Sequence, residues 1–103
     1  MAPSRIPHLA LPLTLVALLL VSGCQTAPVQ EMSDARQAIS VAREAGAAQH
    51  AAADFTAAVD YLQSAERHLN EQQYGNARRD ALQAKLKALD ALQRAETSTD
   101  VKP

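Results

Sequence analysis

The residues of this chain that could do chemistry are few and scattered. It has one cysteine, Cys24, so no disulfide can close within it. A lone cysteine in an exported protein must pair elsewhere or carry something else. Downstream lie two histidines, His50 and His68, far apart and with no third ligand at metal spacing. An exposed linker position accounts for His50 and a helix flank for His68. Ser33, Ser40 and Ser64 have no evident base or orienting partner and fit capping or helix-surface positions. After Cys24 the only glycines are Gly46 and Gly75, too few for a glycine-rich phosphate cradle. Arg78 and Arg79 fall near the start of a helix, where acids are favoured over bases. Pairing with Glu71 or Asp80 accounts for them, and contact with an anionic partner, such as a lipid headgroup or a wall carboxylate, is the alternative. These residues make no catalytic set and imply no metal and no cofactor, so the expectation is a protein that is not an enzyme.

The elements around Cys24 give it a different role. Arg5 opens a charged start, and Leu9 to Val21 (LALPLTLVALLLV) is an apolar run. Its length suits the hydrophobic region of a secretory signal and is too short to span a bilayer stably. Pro12 within it also disfavours a permanent transmembrane helix. The run ends in Val21-Ser22-Gly23-Cys24, which resembles the lipobox of bacterial lipoproteins: a branched apolar residue, two small residues, then cysteine. Small residues let the extended backbone enter the peptidase. The resemblance implies that residues 1–23 are removed, that the Cys24 sulfur receives a diacylglyceryl group, and that its freed amine takes a further acyl chain. One chain binds a membrane marginally, whereas two or more anchor stably, at about 0.8 kcal/mol per buried methylene. Cys24 would then be no nucleophile. Inner-membrane retention usually goes with Asp after the cysteine, so Gln25 implies transport to the outer membrane of a Gram-negative cell, on its periplasmic face. Residues 24–30 would be the lipidated cysteine and a polar tether (QTAPVQ from Gln25) reaching about 20 Å when extended.

Length and composition limit the domain beyond the tether. With 103 residues there is room for one domain. The net charge is −1, and removing the leader takes away Arg5 and no acid, which excludes the basic footprint expected of a nucleic-acid binder. The 48% hydrophobic content is largely leader and alanine, with no Trp, one Phe and two Tyr. The larger aliphatics, such as Ile39, Leu62, Leu69 and Leu86, each contribute about 1.5–3 kcal/mol when buried. Chain ordering consumes nearly all of that, so the domain should be marginal alone.

Periodicity predicts an all-α domain over residues 31–96, a small antiparallel bundle of three helices. Met32, Ala35, Ile39, Ala42, Gly46 and Gln49 share one helical face, with Ser33 and Asp34 as candidate N-caps. Asp54 fits the next N-cap and places a bend at residues 50–53; a continuous helix through that stretch is the alternative. Phe55, Ala58, Leu62, Ala65 and Leu69 repeat the spacing, residues 70–76 form a turn, and Tyr74, Ala77, Ala81, Ala84, Ala88, Ala91 and Ala95 carry it on. Residues 97–103 read as a disordered tail. Short connections make neighbouring helices antiparallel. The acids Asp54, Asp60, Glu66 and Glu71 of the second segment oppose the bases Arg78, Arg79, Lys85, Lys87 and Arg94 of the third.

The third helix has apolar surface to spare. At about 100° per residue its alanines form one arc and Leu82, Leu86 and Leu89 another, centred about 150° away; together they exceed the stripe of an ordinary surface helix. Either the alanines pack on the second helix and the leucines on the first, or the first helix is loosely held and the leucines meet a partner or a second copy.

Two family resemblances bear on this region. Tyr61, Ala65, Tyr74-x-x-Ala77, Ala81 and Ala84 resemble the helix-turn-helix of a tetratricopeptide repeat, with Ala81 where an aromatic is usual. Such solenoids need about three repeats, so a repeat-like hairpin is implied and no peptide groove. Ser33-Asp34-Ala35-Arg36-Gln37-Ala38-Ile39, Ala42-Arg43-x-Ala45-Gly46-Ala47, Leu62-x-x-Ala65 and Tyr74-x-x-Ala77-Arg78 are similar to a family of short Ala-rich bacterial lipoproteins, domain of unknown function 4398. Some of its members carry an OmpA-like peptidoglycan-binding domain as well, which links the family to the cell wall by association only. The expected role is an interaction module in envelope organisation, its partners the membrane through Cys24 and an envelope protein or a second copy. The alternative is a passive structural lipoprotein joined to peptidoglycan by a terminal lysine, against which Val101-Lys102-Pro103 argues because Pro103 follows the lysine.

Overall fold

The computed structural model describes residues 26–100. The leader, Val21-Ser22-Gly23-Cys24 and Val101-Lys102-Pro103 lie outside the described residues. Four helices succeed one another: α1 (Val29–Glu44), α2 (Ala47–His50), α3 (Ala52–Asn70) and α4 (Tyr74–Asp100). The all-α expectation holds, with three long helices and a one-turn insert. Alanine-rich sequence without internal proline carries these helices at little propensity cost.

Several boundaries differ from the sequence expectation. Helix α1 starts at Val29, upstream of Ser33 and Asp34, so neither residue is a cap and the tether is shorter than residues 24–30. Pro28 sets this start: its ring fixes φ at −79°, and its carbonyl accepts the Met32 N–H at 3.0 Å. Asp34 instead accepts a hydrogen bond from Gln30 Nε2 at 2.8 Å, one turn back. At the other end Gly46 does not continue the face but terminates it. It takes φ +81°, the left-handed conformation that ends helices and that glycine adopts without Cβ strain. The bend expected at residues 50–53 is real and lies at Ala51, so the helices are separate, but Asp54 is in the first turn of α3 and is not its cap.

The turn between α3 and α4 is a Schellman motif without glycine. The Gln72 N–H donates to the Leu69 carbonyl at 3.0 Å and the Gln73 N–H to the His68 carbonyl at 2.8 Å. Gln72 holds φ +60° to make both bonds. Beyond it, α4 runs past residue 96 to Asp100, correcting the expected tail at 97–100. Thr97 Oγ1 donates to the Gln93 carbonyl and Thr99 Oγ1 to the Glu96 carbonyl, each at 2.8 Å. Each hydroxyl bonds back to a carbonyl about one turn earlier, a contact that a helix accommodates at a slight cost to its stability.

The three long helices run up, down and up. Glu31 and Asp34 of α1 meet Arg78 and Lys85 of α4 in ascending order, so α1 and α4 are parallel. Asp54 meets Arg94, while Asp80 lies beside Ser64 and His68, so α3 runs antiparallel to α4. Arg36 reaches Glu66 and closes the third side. The cations of α4 are therefore shared between both neighbours rather than given to α3 alone.

One arc of α4 supplies all of its fully buried residues, and Leu92 beside that arc packs against the core partly buried. Ala77, Ala81, Ala84, Ala88, Ala91 and Ala95 are all 0% exposed. Met32, Ala35, Ala65, Ala81 and Ala84 pack at one end. Ile39, Ala42, Phe55, Ala58, Ala88, Ala91 and Ala95 pack at the other, and Leu62 borders both groups. Methyl-sized side chains let helix axes approach to the short end of the usual 8–10 Å range, so a narrow arc touches α1 and α3 together. This corrects two expectations: α1 is firmly seated rather than loosely held, and Leu82, Leu86 and Leu89 do not pack on it but stay exposed.

Candidate interaction surface

Leu82, Leu86 and Leu89 form the outer ridge of α4, opposite its alanine seam. They are 46%, 53% and 42% exposed. The sequence placed them together on one arc, and the structure keeps them together with solvent on them. The sequence did not single out Val41 of α1, which is also exposed. The Glu31–Arg78 pair joins residues 47 apart in parallel helices. Together with the Asp34–Lys85 pair, that register brings Val41 to about the level of Leu89 along the bundle.

Arg79 flanks the ridge at one end and Glu96 at the other. Arg79 is exposed and donates only to Asn76 Oδ1, at 3.2 Å, among the described residues. Its neighbour Arg78 is committed: Nε lies 3.4 Å from Glu31 Oε1, and an NH2 nitrogen donates to the Thr26 carbonyl at 3.2 Å. Neither arginine pairs with Glu71 or Asp80, which corrects that expectation; the helix order brings Glu31 within reach instead.

The polar candidates assemble in one unexpected place. Ser64 Oγ donates to Asp80 Oδ2 at 2.6 Å, and His68 Nε2 lies 3.4 Å from the same oxygen. His68 Nδ1 lies 2.7 Å from Gln73 Oε1, which also accepts from Asn76 Nδ2 at 3.3 Å. Ser64 and His68 sit one turn apart on α3, a spacing visible in sequence; the antiparallel hairpin supplies Asp80. The order is wrong for acyl transfer, which requires imidazole between hydroxyl and carboxylate. Here the carboxylate lies between, and the serine proton is already donated. The group latches the α3–α4 turn. His50 is exposed on α2, remote from His68 in the fold, and Ser33 and Ser40 are exposed on α1. No cluster of three metal-ligating side chains occurs among the described residues.

The concavities are open. One of about 720 Å³ is lined by Asp90, Gln93, Arg94, Thr97 and Ser98 near the end of α4, and another of about 350 Å³ by Ala57, Asp60, Tyr61 and Ser64. Neither encloses a reactive pair. Arg43 stacks over the Phe55 ring at 5.5 Å and ties the end of α1 to the start of α3.

A family model described as a domain of unknown function (DUF4398) matches residues 30–100, which takes in the four helices but for Val29 at the start of α1. The chain belongs to the DUF4398 family. No curated protein and no solved structure matches it. The DUF4398 match reaches the end of α4, past the residue 96 boundary expected from sequence. Cys24, with Val21, Ser22 and Gly23, precedes both the DUF4398 match and the described residues.

Proposed function

We propose that this protein is an outer-membrane lipoprotein on the periplasmic face, anchored through Cys24, whose DUF4398 bundle is a non-catalytic interaction module in envelope organisation. The observation that carries the interaction role is the leucine ridge. A marginal domain has few large aliphatics, and this one leaves three of them, Leu82, Leu86 and Leu89, half exposed in a row. Such a row on a small protein marks a contact surface. A passive spacer joined to peptidoglycan has no use for it. The anchor rests on the Val21-Ser22-Gly23-Cys24 motif and its leader. No helix among the described residues is long and apolar enough to cross a membrane.

Mass spectrometry of the protein purified from membranes tests the anchor. An acylated Cys24 should be its first residue, and a mature chain starting elsewhere with a free thiol would falsify the anchor. In-cell crosslinking from positions 82, 86 and 89 tests the module. Adducts should form from these positions and not from the opposite flank of the bundle. Detergent-boiled sacculi that retain the protein covalently would favour the structural alternative instead.

A further inference from the structure

We propose that the partner of the α4 ridge is a second copy of this chain, paired antiparallel through the same ridge. The inference rests on the reading of the bundle as an interaction module and names its partner. The ridge fits a heptad seam in which Arg79, Leu86 and Gln93 alternate with Leu82, Leu89 and Glu96. Two such seams can meet in either direction, and the charges decide between them. In a parallel pair each residue meets its own equivalent, so Arg79 faces Arg79 and Glu96 faces Glu96. In an antiparallel pair Leu86 faces Leu89 of the second copy, Leu82 faces Gln93, and Arg79 faces Glu96, twice over by the two-fold symmetry. Both charged residues are exposed, and neither makes an ion pair with another described residue. The remaining cations on this side of α4 are already taken within the bundle, Arg78 by Glu31 and Lys85 by Asp34. Arg79 and Glu96 are thus the charges left at the two ends of the apolar row, with opposite signs. The contact is small, so the dimer is a weak one in solution. Two chains held on one membrane meet at a far higher effective concentration, which favours pairing there.

Sedimentation equilibrium of the full chain purified in mild detergent, and of its Cys24→Ser form, tests the pairing apart from the anchor. Both forms should show a monomer–dimer equilibrium. Arg79→Glu and Glu96→Arg should each weaken it at least tenfold, and the double variant Arg79→Glu/Glu96→Arg should return it to within about threefold of the parent. Circular dichroism should stay unchanged throughout, since both residues are exposed. Leu86→Gln should abolish the dimer with helicity intact. Singles that leave the equilibrium unchanged, or a double variant that fails to restore it, overturn the antiparallel pairing. A chain that stays monomeric in both forms while positions 82, 86 and 89 crosslink to a different protein overturns this inference and leaves the interaction-module reading standing.

Discussion

Gln72 and Gly46 occupy the same left-handed region of the backbone, at φ +60° and +81°, and only one of them suits it. A side chain there costs about 1–2 kcal/mol, which Gln72 bears to complete its Schellman turn. Replacing it with glycine relieves that strain and gives back about 0.5–1 kcal/mol in chain entropy. Gln72→Gly should therefore raise stability by about 0.5–1 kcal/mol in urea unfolding, with an upward Tm shift of a few degrees for a domain of this size. Gly46→Ala should do the reverse, losing about 1–2 kcal/mol. An added Cβ would also lie 3.2 Å from His50 Cδ2. The companion variant Gly46→Ala/His50→Ala should recover only the part due to that contact, because the backbone strain remains. Gly46 was read as part of the first helical face, because the apolar period runs through it to Gln49 and masks the stop that a glycine can supply. The left-handed Gln72 was not legible, because no glycine or asparagine marks its position.

At the scale of elements, α4 presents methyl groups inward and leucines outward, the reverse of the usual amphipathic helix. Stability should accordingly depend on the small residues more than on the large ones. Ala84→Leu inserts bulk between α4 and its neighbours and should cost about 1–3 kcal/mol or more. Leu86→Ala, on the exposed ridge, should fall within about 0.5 kcal/mol of the parent. Leu86→Asp should keep the helical circular dichroism, whereas a buried site would lose it. Chemical denaturation of the three variants side by side checks the order. Periodicity revealed the alanine arc and the leucine arc correctly as sets. It could not tell how many helices each set would meet, because that depends on how closely the axes approach, and the approach is set by all three helices at once.

For the whole molecule, the up-down-up order followed from the short connections, and the all-α class from alanine content and spacing. The ion pairs did not follow: a cation on the flank of α4 can reach either neighbour, and only the parallel placement of α1 assigns Arg78 to Glu31 and Lys85 to Asp34. The core is built from alanine with few large side chains, so burial per residue is low. Thermal unfolding followed by circular dichroism should show a helical protein melting over a broad range. A sharp transition above about 90 °C, the usual mark of hyperstability, would contradict this account of the core.

The odd number of long helices has a mechanical consequence. Thr26 is held by Arg78 at the start of α4, whereas Asp100 lies at its far end, 27 helical residues or about 40 Å away. A pull between those two points runs along the bundle axis. It slides α1 against α4 in shear and loads the entire alanine seam and both α1–α4 ion pairs together. Two helices in a simple hairpin, tethered at one shared end, would instead peel apart contact by contact. Under such a pull the bundle resists as a tie loaded along its whole length rather than opening as a zipper.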